Sequence, residues 1–401
     1  MNASSHRRGI AVLLANEALT WGGFYMLVPL LSVHLTRDAG YSGAVAGAVL
    51  AVRQFTQQGL MLFGGVLADR VGYRPVIAAG MLVRALGFAG FALSDRLPVV
   101  LLAAVVAALG GALFEATGKA ALASLAPPAG RPRLFSLSAT MGSLGVTVGP
   151  LVGSALLPLS FAAVGLAAGG FFFVAFLLSL ALLPPLGAPA AAAPSLAATL
   201  KGVARDRMFL AFTALLAGYW FLHNQIYISV PLWATRQTGR PEIVGVLNAV
   251  FAVASAILQF PLVRFATRRL PAGAVAATGV ATMGLGLALF GAGMAGGVPV
   301  FVAAIVVFAA GRALVEPTKD VLTATLAPPE GLAVYFGVAF LALAVGGSAG
   351  NLAGGWLYDL ATGSGAYLLP WAVFLLVGLV VAACLLVFNR RQAHTAAASS
   401  G

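Results

Sequence analysis

Long apolar runs recur from one end of this chain to the other, separated by short polar stretches that hold most of the charge. A helix rises about 1.5 Å per residue, so roughly 20 apolar residues cross the roughly 30 Å hydrocarbon core of a bilayer. On that measure the pattern predicts twelve spans, at about residues 10–35, 43–68, 76–94, 97–126, 134–158, 161–183, 208–234, 242–264, 272–294, 297–326, 332–359 and 366–388. Residues 184–207 break the pattern with Pro184-Pro185, an Ala/Pro tract and then Lys201, Arg205 and Arg207. The expected fold class is an all-α membrane protein of twelve transmembrane helices in two six-helix pseudo-repeats. Its expected parts are an N-terminal bundle (1–183), a cytoplasmic linker (184–207) and a C-terminal bundle (208–401).

Composition supports the pattern. The 401 residues are 61% hydrophobic and only 8% charged, against about a quarter charged in an ordinary soluble domain. The net charge of +12 suggests nucleic acid as a partner, but the bases lie in loops rather than in a stripe or a basic domain. By loop parity, fourteen Lys and Arg fall on one side, from Arg7 and Arg8 to Arg390 and Arg391. Four (Arg37, Arg96, Arg236 and Arg240) fall on the other, so both termini are expected in the cytoplasm. The remaining five, Arg53, Arg84, Lys119, Arg312 and Lys319, fall inside spans. The single cysteine, Cys384, allows no internal disulfide, and the first apolar segment reads as a full span rather than a cleaved signal.

The two halves repeat at an offset of 201 residues. Gly47-Ala48-Val49-Leu50-Ala51-Val52 answers Asn248-Ala249-Val250-Phe251-Ala252-Val253, and Leu113-Phe114-Glu115-Ala116-Thr117 answers Leu314-Val315-Glu316-Pro317-Thr318. Leu125-Ala126-Pro127-Pro128 answers Leu326-Ala327-Pro328-Pro329, and Gly145, Gly149 and Gly153 answer Gly346, Gly350 and Gly354. One fixed offset across four segments, with an acid and a double proline in register, argues for duplication.

Between the second and third spans lies Gly65-Val66-Leu67-Ala68-Asp69-Arg70-Val71-Gly72-Tyr73-Arg74-Pro75. Read as a short loop, it joins a tight turn to a charge cluster at the membrane surface. Its spacing resembles the loop signature of the major facilitator superfamily. The resemblance implies that Gly65, Asp69, Arg70, Gly72 and Arg74 form a conformational latch on the cytoplasmic side. In the fifth span, Gly145, Gly149, Pro150 and Gly153 combine a face of small residues with a proline bend. Their order resembles the antiporter motif of that superfamily, with Ser154 in place of its usual last glycine. The run from Leu13 through Glu17 to Leu30, with Arg53-Gln54-Phe55 and the loop, is most like the MdtH-type bacterial multidrug exporters.

Charges inside a membrane are costly, which makes them functional candidates. Glu17, Glu115 and Glu316 sit at similar depths in spans one, four and ten, Glu115 roughly 15 Å deep by helical rise. They are candidates for proton coupling or substrate contact, together with Arg53, Gln57, Lys119 and Asp320. The alternative for Glu115 is simple neutralisation by Lys119, four residues on and so on the same helix face. Arg53 and Gln57 share a polar face that will not meet lipid, and Arg53 is a natural partner for a buried acid such as Glu17. The superfamily's usual fourth-helix arginine motif is absent. Spans three, six, nine and twelve, uncharged except for Arg84, read as lipid-facing supports.

Aromatic and amide groups mark a candidate cavity: Asn16 and Tyr25 in span one, Trp220, His223, Asn224 and Tyr227 in span seven, then Gln259 and Asn351. An interfacial aromatic belt is the alternative for span seven. No nucleotide-binding loop, zinc signature or Cys/His metal spacing is present. The expectation is therefore a non-enzyme without metal or cofactor, driven by a proton gradient. It would be a monomer in the bacterial inner membrane, with protons, the lipid bilayer and a small-molecule substrate as partners and no nucleic acid. The function expected is proton-coupled export of amphipathic, cationic or zwitterionic compounds by alternating access. A metabolite facilitator or symporter, a lipid flippase, and a non-transporting receptor or scaffold are the alternatives.

Overall fold

The structure is a computed structural model that describes residues 3–125, 131–186, 202–327 and 332–399, and among these there is no strand. The first half contributes α1 (Ala3–Arg37), α2 (Gly43–Val71), α3 (Tyr73–Gly90), α4 (Leu97–Ser124), α5 (Arg131–Leu156) and α6 (Phe161–Leu182). The second contributes α7 (Arg207–His223), α8 (Ser229–Thr238), α9 (Ile243–Thr267), α10 (Ala272–Gly296), α11 (Val298–Leu326), α12 (Leu332–Ala342), α13 (Ser348–Ser364) and α14 (Leu369–Ser399). Among the described residues nine stretches are long and apolar enough to cross a membrane. With α2, α3 and the α7–α8 pair, they make up the twelve spans of the expected fold.

Contacts divide the chain into two compact units, Met1–Ala191 with Arg240–Ala249, and Ala192–Gly239 with Val250–Gly401. Most of the expected linker, 187–201, lies outside the described residues. In the first unit α1 packs on α5 and α6, α3 on α4 and α6, and α2 on α4. In the second, α10 packs on α11 and α14, while α7 meets the segment between α12 and α13.

Two spans that read as continuous are interrupted. The seventh leaves the α-helix at His223, passes through a 3₁₀ turn at Asn224–Ile226, and resumes as α8. The freed backbone is compensated inside the protein, as it must be in hydrocarbon. Gln225 Nε2 donates to the carbonyls of Phe221 (2.9 Å) and Gly350 (3.0 Å), and Ser229 Oγ donates to Gln225 Oε1 at 2.6 Å. The eleventh loosens to a π-helical turn at Leu343–Gly347, where its glycines meet α7.

Glycines set the closest approaches, because a Cβ would fall on a neighbour's backbone. On α5, Gly145, Gly149 and Gly153 sit against Ala18, Gly22 and Met26 of α1. In the second unit, Gly346 and Gly350 sit against the backbone of Ala217 and Phe221, and Gly354 against Gln225 and Ile228. The sequence repeat is thus also a repeat of contacts.

Candidate functional site

Each unit holds a cluster of charged residues within its spans. In the first, Glu17 projects from α1, whose most apolar stretch is 83% buried. Glu17 Oε2 accepts from the indole N–H of Trp21 one turn later at 2.9 Å. The charges acting on it are Lys119 and Glu115, and Ser138 is a further hydrogen-bond partner. From α2, Arg53 donates to Gln57 Oε1 (3.1 Å) and Gln54 Oε1 (3.2 Å), and Gln57 Nε2 donates to Glu115 Oε2 at 3.0 Å. Arg53 thus reaches Glu115 through an amide. Its guanidinium also lies over the Phe24 ring, 4.8 Å from the centroid.

Arg84 joins this cluster from α3 and overturns the reading of the third span as a mere lipid-facing support. It is 3% exposed. Its guanidinium lies 4.9 Å from the Phe172 ring and 5.9 Å from those of Phe24 and Phe88. Among the described residues it forms no ion pair, and the charges acting on it are Glu115, Arg53 and Glu17. It reaches α4 because Gly111 has no side chain: a Cβ there would lie 2.7 Å from Arg84 Nη1 and 2.7 Å from Gln57 Cδ.

The second cluster is more tightly tied. Glu316 accepts from Tyr219 Oη at 2.6 Å, pairs with Lys319 Nζ at 3.1 Å and lies 3.7 Å from Arg312 Nη2. Lys319 also holds Asp320, which is exposed, at 2.9 Å. Aromatic rings surround the cations, with Trp220 5.7 Å from Lys319 and Phe251 5.5 Å from Arg312. His223 is buried among Tyr219, Trp220, Tyr227, Phe251 and Phe308. These rings form one wall beside the acid, whereas Trp233 packs in a separate group with Tyr358, Tyr367 and Trp371.

Several expected cavity residues are buried in contacts between helices. Asn16 is fully buried and donates to Ser179 Oγ of α6 at 2.8 Å. Asn224 and Asn351 are buried and bonded to each other at 3.3 Å, tying the 3₁₀ turn after α7 to α13. Tyr25 is buried against Trp21 and Phe24. Gln259 is exposed on α9. A short amide satisfies backbone or partner groups inside a helical bundle as readily as it faces a cavity, which is why polarity alone did not separate the two.

The expected latch loop is almost entirely helical. Helix α2 continues to Val71 and α3 starts at Tyr73, so Gly72 alone turns the chain. Its φ of 96° and ψ of 155° belong to glycine, and its N–H donates to Ala68 O at 2.8 Å. Arg74 donates to the Leu180 carbonyl of α6, and Arg70 is exposed. The Asp69 side chain lies outside the described residues. Gly65 has a different place from the one expected. A Cβ there meets nothing among the described residues, and the close approach to Ala112 and Leu113 of α4 is made by Gly64.

A family model for the major facilitator superfamily matches residues 13–241 and 208–401. The chain belongs to that superfamily. It is 34% identical over 385 residues to multidrug resistance protein MdtH of Photorhabdus laumondii, spanning 96% of this chain and 95% of that protein. MdtH of Proteus mirabilis is 33% identical over 385 residues, covering 96% of each chain. Among solved structures, a POT family transporter in complex with a thioalcohol-conjugated peptide matches with a TM-score of 0.81 at 15% identity, over 96% of both chains. The nucleoside transporter NupG matches at 0.81 and 16% identity, over 94% of this chain and 99% of that one. These two show the fold alone. This member of the superfamily is a multi-pass membrane transporter.

Sequence reasoning missed Tyr219, Arg312, Trp21 and Arg84. Arg312 stands four residues before Glu316, so the spacing rule applied to Glu115 and Lys119 also reaches it. The Tyr219–Glu316 and Arg84–Glu115 relationships join separate helices and leave no spacing signal.

Proposed function

We propose that this transporter is a proton-coupled antiporter that exports small amphipathic, cationic or zwitterionic compounds, with Glu17 as the acid that carries the proton. The observation behind this reading is a contrast between the acids. Glu316 is held by two cations and a phenol, at 3.1, 3.7 and 2.6 Å, while the hydrogen bonds to Glu17 come from neutral donors, the Trp21 indole and Ser138, with Lys119 the cation acting on it. An acid held by cations stays ionised, whereas one held by neutral donors exchanges its proton at lower cost. The aromatic wall of Trp220, His223 and Tyr227 suits amphipathic cargo. Multidrug resistance in the names of the MdtH relatives supports export of such compounds.

In this reading the protein works as a monomer in the bacterial inner membrane, with both termini in the cytoplasm and no cofactor beyond the proton gradient. Alternating access carries cargo outward as protons enter, and the turn at Gly72 with Arg70, Arg74 and Asp69 closes the cytoplasmic side. The test is a panel of amphipathic cations in proteoliposomes with an imposed pH gradient, wild type beside Glu17→Gln. Wild type should accumulate cargo against its gradient. The variant should keep downhill movement and lose accumulation, and accumulation equal to wild type would remove Glu17 from the role.

A further inference from the structure

The two units answer each other along the helices that carry Glu115 and Glu316, with one exchange. Helix α4 precedes α11 by 201 residues, so Gly111 stands where Arg312 stands, one turn before the acid. Helix α3 precedes α10 by 199, and the contacts confirm this register. Gly80 sits on Gly110 as Gly279 sits on Gly311, and Gly87 sits on Ala107 as Gly286 sits on Phe308. In this register Arg84 answers Met283. Both positions pack on the matching glycine, Arg84 on Gly110 and Met283 on Gly311. One unit thus has a guanidinium on the helix with the acid and a thioether on the neighbour. The other has the guanidinium on the neighbour and no side chain beside the acid.

The geometry makes the exchange physical. The space into which a side chain at 111 would grow is occupied by Arg84 Nη1 and by Gln57, whose Nε2 holds Glu115. Burying an arginine without a paired anion is costly. Three phenylalanine rings at 4.9 to 5.9 Å offset part of that cost and orient the guanidinium. A residue serving only as a lipid-facing support needs none of this.

We propose that Arg84 is a positioning residue for Glu115, entering from α3 through the notch at Gly111 to provide the neighbouring cation that Arg312 provides for Glu316. This rests on the reading of the first-unit acids as the transport site, and it deepens that reading. The notch explains why the fourth helix needs no arginine of its own.

The exchange can be run in reverse. Purified protein would be treated with a hydrophobic carbodiimide, which reacts with protonated carboxyls, and labelling of Glu115 read by mass spectrometry at neutral pH. Losing an adjacent cation should raise labelling in Arg84→Met about tenfold, the effect of one unit in protonation equilibrium. The double variant Arg84→Met/Gly111→Arg, which places the guanidinium and the thioether as in the second unit, should return labelling to near the wild-type level. Unchanged or absent labelling of Glu115 in Arg84→Met overturns the proposal, as does a double variant that folds but stays highly labelled. If Arg84→Met fails to fold, the double variant must restore both folding and low labelling, and its failure overturns the proposal too. No transport is measured, so a failed proton-driven export assay and a failed labelling result remain distinct.

Discussion

Gly149 of α5 lies directly on the backbone of Gly22 of α1, so close that a Cβ would overlap the Gly22 carbonyl. The same relation recurs between Gly350 and Phe221, where the added atom would sit 2.5 Å from the carbonyl oxygen. Gly149→Val should therefore force α1 and α5 apart and cost about 1–3 kcal/mol or more. Gly170→Ala is the control, since a Cβ there meets nothing within 4 Å. Thermal unfolding in detergent should fall for Gly149→Val and stay unchanged for Gly170→Ala.

The two glycines of the expected loop, Gly65 and Gly72, should behave oppositely. Gly72 occupies a φ of 96° and ψ of 155°, a region essentially reserved for glycine, so Gly72→Ala should cost about 1–3 kcal/mol. Gly65 is inside α2 with open space beside it, so Gly65→Ala should be neutral or slightly stabilising. Unfolding midpoints of the two variants measure the difference.

Glu316 and Glu17 should separate by stability as well as by transport. Tyr219→Phe removes a hydrogen bond to a charged carboxylate, worth about 1.5–3 kcal/mol, and should lower the unfolding temperature by several degrees. Glu17→Gln keeps the shape and an acceptor for the Trp21 indole, so its unfolding temperature should match wild type.

Orientation follows from the loop charges. In a Cys384→Ser background, Arg96→Cys should react with an impermeant maleimide in intact cells. Lys201→Cys should react only after the membrane is opened. The reverse pattern would invert the topology.

The sequence by itself determined the all-helical membrane class and the number of spans, because the length of an apolar run is set by bilayer thickness and needs no tertiary information. It also determined the duplication, and with it the paired glycines on α5 and on the eleventh span, since small residues four apart define a face wherever the partner lies. Gly72 was legible as a turn because only glycine takes its backbone angles. Tertiary structure decided how the charges inside the spans divide. Glu17 with the Trp21 indole, Glu316 with Tyr219, and Arg84 with Gly111 depend on which helices face each other, and contacts between helices follow no fixed spacing. It also decided where Asn16, Asn224 and Asn351 are bonded, since a buried amide reads the same in the sequence whether its partner is a neighbouring helix or a ligand.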